Sequence, residues 1–535
     1  MNSYCFPFRQ IPHTTQLFLD YLDRRLSVEP FYPRSARFFE WAKDESSRVN
    51  YPANRRARTA DVLERQNRAF GSSEKTFANI AALRAGALAV VTGQQVGLFG
   101  GPAFSLYKAL STIKLADEAR KLGVPCVPVF WLATEDHDLE EVNQTRIPAA
   151  DGQLQRLAAT TQSAPDAPVG TVAFGREISD LAVAAEKLLG ATEAAGWLAD
   201  GYRPGETFGS AFAKLFARVF ADFGVILLDG CDPALDEIAA PLYREVVERA
   251  PDLNRKLFER DHDLQMAGYH QQVRVTDTST PLFLIRDGRR IPVHVQGPEN
   301  FVAGESQLSR ADLLDLAQSS PESFSPNVLL RPVIEDYLLP TLAYVGGAAE
   351  VAYFSQAGVL YEQLVGRITP ILPRFSATLI ETKTQALLNK YSLSFQDLFR
   401  GPEALRETIG SHLLDTSLQS SFDQAAAAVE GSMARIRTSL EQLDKTLVES
   451  ANNAESKMLY QLTNLRSRAA RAELRQTEVA DRHTHILGNS LYPDKTLQER
   501  EFAGIYFLAK HGGELLNGLL DFIHPDCVDH QLITL

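Results

Sequence analysis

GALAVVTGQQVGLFGGPAFSLYKALSTIKLADEARKLGVPCVPVFWLAT, residues 86–134, decides the fold. GALAVVTG (86–93) is a short apolar run closed by glycine, the pattern of a strand covered on both faces. From Phe104 the apolar positions Leu106, Leu110, Ile113 and Leu115 follow helical spacing, and Gly123 stops the helix. VPCVPVFWLAT (124–134) reads as a second apolar strand. Strand, glycine loop, helix and strand in this order make a βαβ unit, with parallel pairing and a right-handed crossover. FGVILLD (223–229) and PNVLLRPVIEDYLLPTLAYVGGAAEVAYF (326–354) supply further strand-like runs that lead into polar or glycine-rich turns. A mainly parallel sheet flanked by helices is therefore expected between residues 86 and 375.

In such sheets ligands bind beyond the carboxyl ends of the strands, and three motifs fall there. The first is the loop Thr92, Gly93, Gln94, Gln95, Gly97, Gly100 and Gly101. Glycines between a strand and a helix let backbone N–H groups approach an anion, the glutamines add amide bonds, and Lys108 on the following helix brings a positive charge. The spacing matches neither GxGxxG nor the phosphate loop, so a tight turn that merely joins two elements is the plainer reading. The second motif is Glu135, Asp136, His137 and Asp138. Carboxylates around an imidazole can act as a general base, orient an amine or hold a cation; the plainer alternative is a polar turn that caps the next helix. The third runs from Arg331 and Asp336 to Tyr344, Gly346, Gly347 and Glu350. Arg331 suits a carboxylate ligand, or else a core ion pair with Asp336.

The chain has 535 residues, enough for two or three domains. Its composition, 45% hydrophobic and 23% charged, is that of a soluble globular protein. With 54 basic against 67 acidic residues the net charge is −13, which argues against a nucleic-acid partner. The N-terminus lacks a signal-peptide pattern, and no apolar run reaches the ~20 residues of a membrane span. Cys5, Cys126, Cys231 and Cys527 are scattered without metal spacing, so a reducing cytoplasm is the simplest location.

The C-terminal third changes character. Leu418, Phe422, Ala425, Val429, Met433, Ile436, Leu440, Leu443 and Leu447 step by threes and fours, and Ala454, Met458, Leu462, Leu465, Ala469 and Ala472 resume the pattern. This is a heptad seam with a stutter, read as an antiparallel helical hairpin that pairs with a second copy. Beyond it, NSLYPDKTLQEREF (489–502) offers Tyr492, Lys495 and Arg500 as groups that would stack on and pair with a nucleotide; a capped helix packed on the core is the plainer reading.

Four stretches carry a resemblance: VVTGQQVGLFGGPAFSLYKALSTIKLA (90–116), VPVFWLATEDHDLEEVN (127–143), SPNVLLRPVIEDYLLPTLAYVGGAAEVAYF (325–354) and LYPDKTLQER (491–500). With them the chain resembles, over essentially its whole length, the cysteine-adding enzymes of bacillithiol biosynthesis, the BshC family. The resemblance implies an α/β, Rossmann-like core of the nucleotidyltransferase type with inserted connecting segments, plus a C-terminal α-helical coiled-coil domain that dimerises. The corresponding divisions are an N-terminal part of the core (1–85), the catalytic core (86–377), the coiled coil (378–490) and a segment packing back on the core (491–535). The implied reaction joins L-cysteine to the amine of glucosaminyl-malate, the last step of bacillithiol formation.

Glu135, Asp136, His137 and Asp138 take the catalytic positions by this resemblance, and the loop, Lys108 and the Arg331–Glu350 segment the substrate-binding ones. The related synthetases carry an HxGH signature after the first strand, whereas this loop has no histidine; the nearest is His137. The cosubstrate that activates cysteine is left open, with a nucleotide (ATP or ADP) as the candidate, and no metal is expected. Two other classes remain on the residues alone: a metal-dependent amide hydrolase built on Glu135–Asp138, and a non-catalytic dimeric scaffold.

Overall fold

In the computed structural model, which describes every residue except Met1, Leu414 and 475–477, a parallel sheet forms the centre. Its edge-to-edge order is Ile371–Pro373, Thr341–Gly346, Leu88–Gln94, Cys126–Leu132 and Ile226–Asp229, every neighbouring pair parallel. The apolar runs are explained by their surroundings. Val91, Val129 and Ile226 point into one apolar layer, Phe130 and Leu227 into a second, and Val90 and Val345 into a third. Helices cover both sides, so neither face of a strand needs a polar residue.

The chain leaves the Leu88–Gln94 strand in one direction, toward Cys126–Leu132 and Ile226–Asp229, and later returns to its other side with Thr341–Gly346. The order thus reverses at the seam between the Leu88–Gln94 and Thr341–Gly346 strands. At such a switch point adjacent crossovers depart on opposite faces, and a crevice opens beyond the strand ends.

Between the third and fourth parallel strands lies an insertion. A long helix, Pro233–Met266, precedes an antiparallel sheet ordered Ser306–Ser309, Asn300–Ala303, Arg289–Val295, Ser279–Arg286 and Phe324–Pro326. The sequence reading did not anticipate this sheet, although one signal was present. Asp287 and Gly288 both have positive φ (51° and 71°), the two-residue hairpin turn that an Asp-Gly pair favours. A second difference concerns 326–354. The apolar residues around Arg331 read as a strand, but Arg331–Leu338 is a helix with Pro332 in its first turn, where a missing N–H costs nothing.

The C-terminal part departs as a helical hairpin, Thr416–Leu443 and Leu447–Leu474, reversing at Asp444–Thr446. Met433 is buried, whereas Leu418, Ile436, Leu443, Met458 and Leu465 are exposed; the side chain of Ala472 lies outside the described residues. Ala377–Ile380 and the N-terminal strand Asn2–Phe6 flank the last strand, His530–Thr534, so both termini are tied to one small sheet. This pairing brings the Sγ atoms of Cys5 and Cys527 to 3.4 Å, a proximity hidden by their separation in sequence. Among the described residues no helix is long and apolar enough to cross a membrane.

Candidate functional site

At the switch point a cleft of about 390 Å³ opens, and its floor is polar. Gly93, Gln94, Gln95 and Lys108 come from the first βα unit, Asp136 from the end of the next strand, and Arg331 and Glu335 from the helix that follows the insertion. Tyr344, Gly347 and Glu350 complete it from the fourth parallel strand and its helix. The three motifs read from sequence thus meet, but their members divide by task.

Lys108 is buried, and its ammonium is fully engaged. Nζ donates to Gly93 O (2.6 Å) and Gln94 Oε1 (2.9 Å) and pairs with Glu350 Oε2 (2.6 Å). Burial lowers its pKa in spite of Glu350. With three donors and three acceptors, Lys108 holds the two halves of the switch point together and has no donor left for an anionic ligand. Glu350 also accepts from Tyr344 Oη (2.9 Å) and from the Gly347 N–H (2.7 Å), closing the start of its helix. A Cβ on Gly346 would lie 2.7 Å from Glu350 Cβ, so that glycine permits this closure.

The loop glycines behave differently from an anion cradle. A Cβ on Gly97 would stand 2.9 Å from Gly101 Cα, and Gly100 donates its N–H to Tyr202 Oη (3.0 Å) with Leu215 against it. Gly97, Gly100 and Gly101 are therefore placed in the protein's own packing and do not line the cleft; the close approach they allow is to the loop backbone at Gly97 and to side chains at Gly100 and Gly101. Thr92 is buried and donates to Val345 O (2.8 Å), stitching the central strands. Only the beginning of the loop, Gly93 to Gln95, reaches the cleft.

Within the acidic cluster, Glu135 is buried. Its Oε1 lies 2.5 Å from Arg331 Nε and accepts from Trp131 Nε1, while Oε2 has no hydrogen-bond partner among the described residues. Arg331 therefore pairs with Glu135, whereas Asp336 lies outside the cleft and accepts from Arg367 and Thr369. Neither the Arg331–Asp336 pair nor a ligand role for Asp336 fits this placement, because a separation of five residues on a helix puts the two side chains on different faces. Asp136 accepts from the His137 N–H (2.8 Å) and Gln95 Nε2 (2.9 Å). Burial opposes its charge, yet Arg331, that N–H, Arg290 and Gln95 hold its carboxyl below the usual range. Asp138 caps the short helix Leu139–Val142 through the Glu141 N–H, the plainer of its two readings. His137 lies on the far side of Asp136, where its Nδ1 meets Arg290 Nη1 at 3.0 Å. Arginine has donors only, so Nδ1 accepts and the ring proton sits on Nε2.

Several lining groups were missed. Glu335 is fully buried and its carboxyl is pushed well above the ordinary range by burial, with Glu135 and Glu350 adding to the rise and Arg331 opposing it. It shares a helix face with Arg331, four residues earlier, a relation that becomes legible only when that stretch is read as helix. Arg374 follows the edge strand Ile371–Pro373 and pairs with Glu499 (2.5 Å). Arg500 reaches the cleft from the C-terminal segment and, among the described residues, pairs with no carboxylate. It is thereby separated from its expected companions. Tyr492 packs edge-on against Phe399 (4.7 Å) and Lys495 is exposed, because the turn after the hairpin buries the tyrosine in the core. The three do not form one nucleotide pocket. Among the described residues no three His, Cys, Asp or Glu side chains group in a way that would hold a metal ion.

Two family models match: "Bacillithiol biosynthesis BshC, N-terminal Rossmann-like domain" over residues 1–375, and the corresponding C-terminal coiled-coil domain over 377–535. Three relatives are each named "Putative cysteine ligase BshC". The Koribacter versatilis protein is 45% identical over 99% of both chains. The Solibacter usitatus protein is 36% identical over the full length of both. The Salinibacter ruber protein is 33% identical over 97% of this chain and 96% of its own. With a parallel sheet inside the first match and a helical hairpin inside the second, the chain belongs to the BshC family of bacillithiol biosynthesis.

Proposed function

We propose that this chain is a ligase that joins L-cysteine, through its carboxyl group, to the amine of glucosaminyl-malate. Family membership and the names of the relatives support the class of reaction. The observation that carries the reading to this chain is the cleft: Arg500, a cation with no ion-paired carboxylate among the described residues, lines the same cleft as Asp136, a carboxylate held ionised. An amino acid presents the opposite pair, a carboxylate and an ammonium.

Amide formation from a free carboxylate is uphill in water, so the cysteine carboxyl must first be activated; a nucleotide is the proposed activator, the carboxylate oxygen forming a bond to phosphorus as the P–O bond to the departing phosphate or pyrophosphate breaks. The amine nitrogen then attacks the carbonyl carbon, the C–N bond forms, and the C–O bond to the activating group breaks. The amine enters neutral and passes one proton to a base; Asp136 is the lining carboxylate placed for it. Arg500 receives the cysteine carboxylate and then the phosphate to which it is joined. Glu335, whose carboxyl burial pushes well above the ordinary range, is the proposed proton donor in the same cleft.

The test is thiol profiling in a bacillithiol-producing strain whose own gene for this step is deleted. Expression of this chain is expected to restore bacillithiol and to clear accumulated glucosaminyl-malate. Continued accumulation with the protein present in soluble form overturns the proposal.

A further inference from the structure

Beyond Asp136 lies a second chamber of about 370 Å³, which shares Asp136, Val273, Val328 and Arg331 with the cleft. Its remaining walls come from the antiparallel insertion and from the segment leading into it, including Arg274, Thr280, Phe283, Arg290 and His294. The mechanism above does not use this space.

Arg290 is the unusual group. It is 6% exposed, and its guanidinium lies 3.9 Å from the centre of the Phe283 ring. Nε donates to Ser325 Oγ (3.0 Å), Nη2 to Pro326 O, and Nη1 to His137 Nδ1. All of these partners are neutral. Among the described residues no carboxylate forms an ion pair with Arg290. A buried cation without an ion-paired carboxylate is costly, and natural interiors pair such groups. Burial, with Arg331 adding to it and the more distant charges of Asp136 and Glu135 opposing, brings the guanidinium pKa down to about 10, so the charge persists at neutral pH.

The surrounding charges point the same way. The titratable groups on the walls are Asp136, His137, Arg274, Arg290, His294 and Arg331. Asp136 is the sole carboxylate among these, and it is engaged by Gln95 and the His137 N–H. Arg274, exposed at the rim, has no ion pair among the described residues. His137, with its proton on Nε2, adds a donor. The cations come from different elements, Arg274 from the segment before the Ser279–Arg286 strand, Arg290 from the Arg289–Val295 strand and Arg331 from the Arg331–Leu338 helix, and Leu257, Pro281, Leu282 and Val293 line the chamber with them. That spread suits two separate anionic groups on a short carbon frame better than one phosphate gripped at a point.

We infer that this chamber is an anion subsite for a small dicarboxylate, with Arg290 as its buried anchor and Arg274 as its outer contact. Which molecule brings the dicarboxylate rests on the proposed ligase reading, under which it is the malyl group of the acceptor. Seated there, the acceptor directs its amine toward Asp136, where the two chambers join.

The probe is L-malate, titrated calorimetrically into the purified full-length protein. Wild type is expected to bind it, Arg290→Gln to weaken binding at least tenfold, and Arg274→Gln about threefold, with L-cysteine binding and near-UV circular dichroism retained. Inorganic phosphate and ADP are expected to leave malate binding unchanged. Unaltered malate affinity in both variants overturns the assignment, as does displacement of malate by phosphate. Should Arg290→Gln fail to fold, Arg274→Gln, at the rim, decides. Malate binding that depends on these arginines in a chain that makes no amide product would sink the ligase reading and keep the subsite. Amide formation with an unchanged acceptor KM in both variants would do the reverse.

Discussion

Lys108 Nζ lies 2.6 Å from Glu350 Oε2, a buried ion pair that joins the first crossover helix to the last across the point where strand order reverses. The pair is what keeps the floor of the cleft closed. Removing one partner strands the other charge away from water, which typically costs 3–5 kcal/mol, about as much as a large core truncation. Lys108→Met and Glu350→Leu are each expected to lower the unfolding free energy from urea titration by that order. The double variant Lys108→Met/Glu350→Leu should lose clearly less than the sum. Additive losses in the cycle would show that the two charges are not coupled.

Glu335 titrates in the opposite sense to an ordinary surface carboxylate. Its pKa in the folded chain is raised above the unfolded value of about 4.3, so its contribution to stability is complete below that value and is lost as pH rises through the folded pKa. Glu335→Gln removes this loss. The variant should match wild type near pH 4 and exceed it in denaturation midpoint at pH 8; a constant difference across that range would contradict the assignment.

His530 is completely buried between Ser376 and Thr378, with Nδ1 2.7 Å from Ser376 Oγ. Burial, with Arg374 adding to it and Glu499 opposing, brings its pKa down to about 4. A depressed histidine stabilises the fold fully above its unfolded pKa of about 6.5, and that stability is lost as pH falls toward 4, a total of about 3 kcal/mol. Denaturation measured from pH 7.5 to 4.5 should show this slope, and His530→Asn should flatten it. The small sheet that ties both termini would loosen first, which amide exchange at His530–Thr534 can follow.

Gly97 gives a direct check on what the glycine loop is for. Any Cβ there meets Gly101 Cα at 2.9 Å, so Gly97→Val forces the loop apart and should cost about 1–3 kcal/mol. The damage belongs to stability. Folded variant protein should keep the wild-type affinity for L-cysteine, and a selective loss of affinity with unchanged stability would return the loop to a ligand role.

Leu418, Ile436, Leu443, Met458 and Leu465 are exposed on the hairpin, and a second copy of the chain is the proposed cover. Light scattering is expected to give a dimer for wild type. Ile436→Glu combined with Leu465→Glu should yield a folded monomer, and a wild type that stays monomeric at high concentration would refute the pairing.

Local pattern was enough for the frame of this protein. Apolar runs ending in glycine, a helix with a clean stop and a heptad seam are properties of neighbouring residues, and each predicts its own element. Alternation of βα units fixes parallel pairing and puts strand ends on one side, so Gln95, Asp136 and Glu350 could be expected near one another before any coordinates existed. Ion-pair partners are a different matter, because they join residues whose separation carries no sequence signal. That Arg331 meets Glu135 while Asp336 meets Arg367, and that Lys108 is consumed by Glu350, follows from how helices rotate against the sheet. The same is true of Arg290. On the chain it is one of two arginines after an Asp-Gly turn, and only the folded insertion buries it beside His137 with no carboxylate in ion-pair contact among the described residues. Sequence set the elements and their order; tertiary packing, which decides which charges lose water and which find partners, set the chemistry of the site.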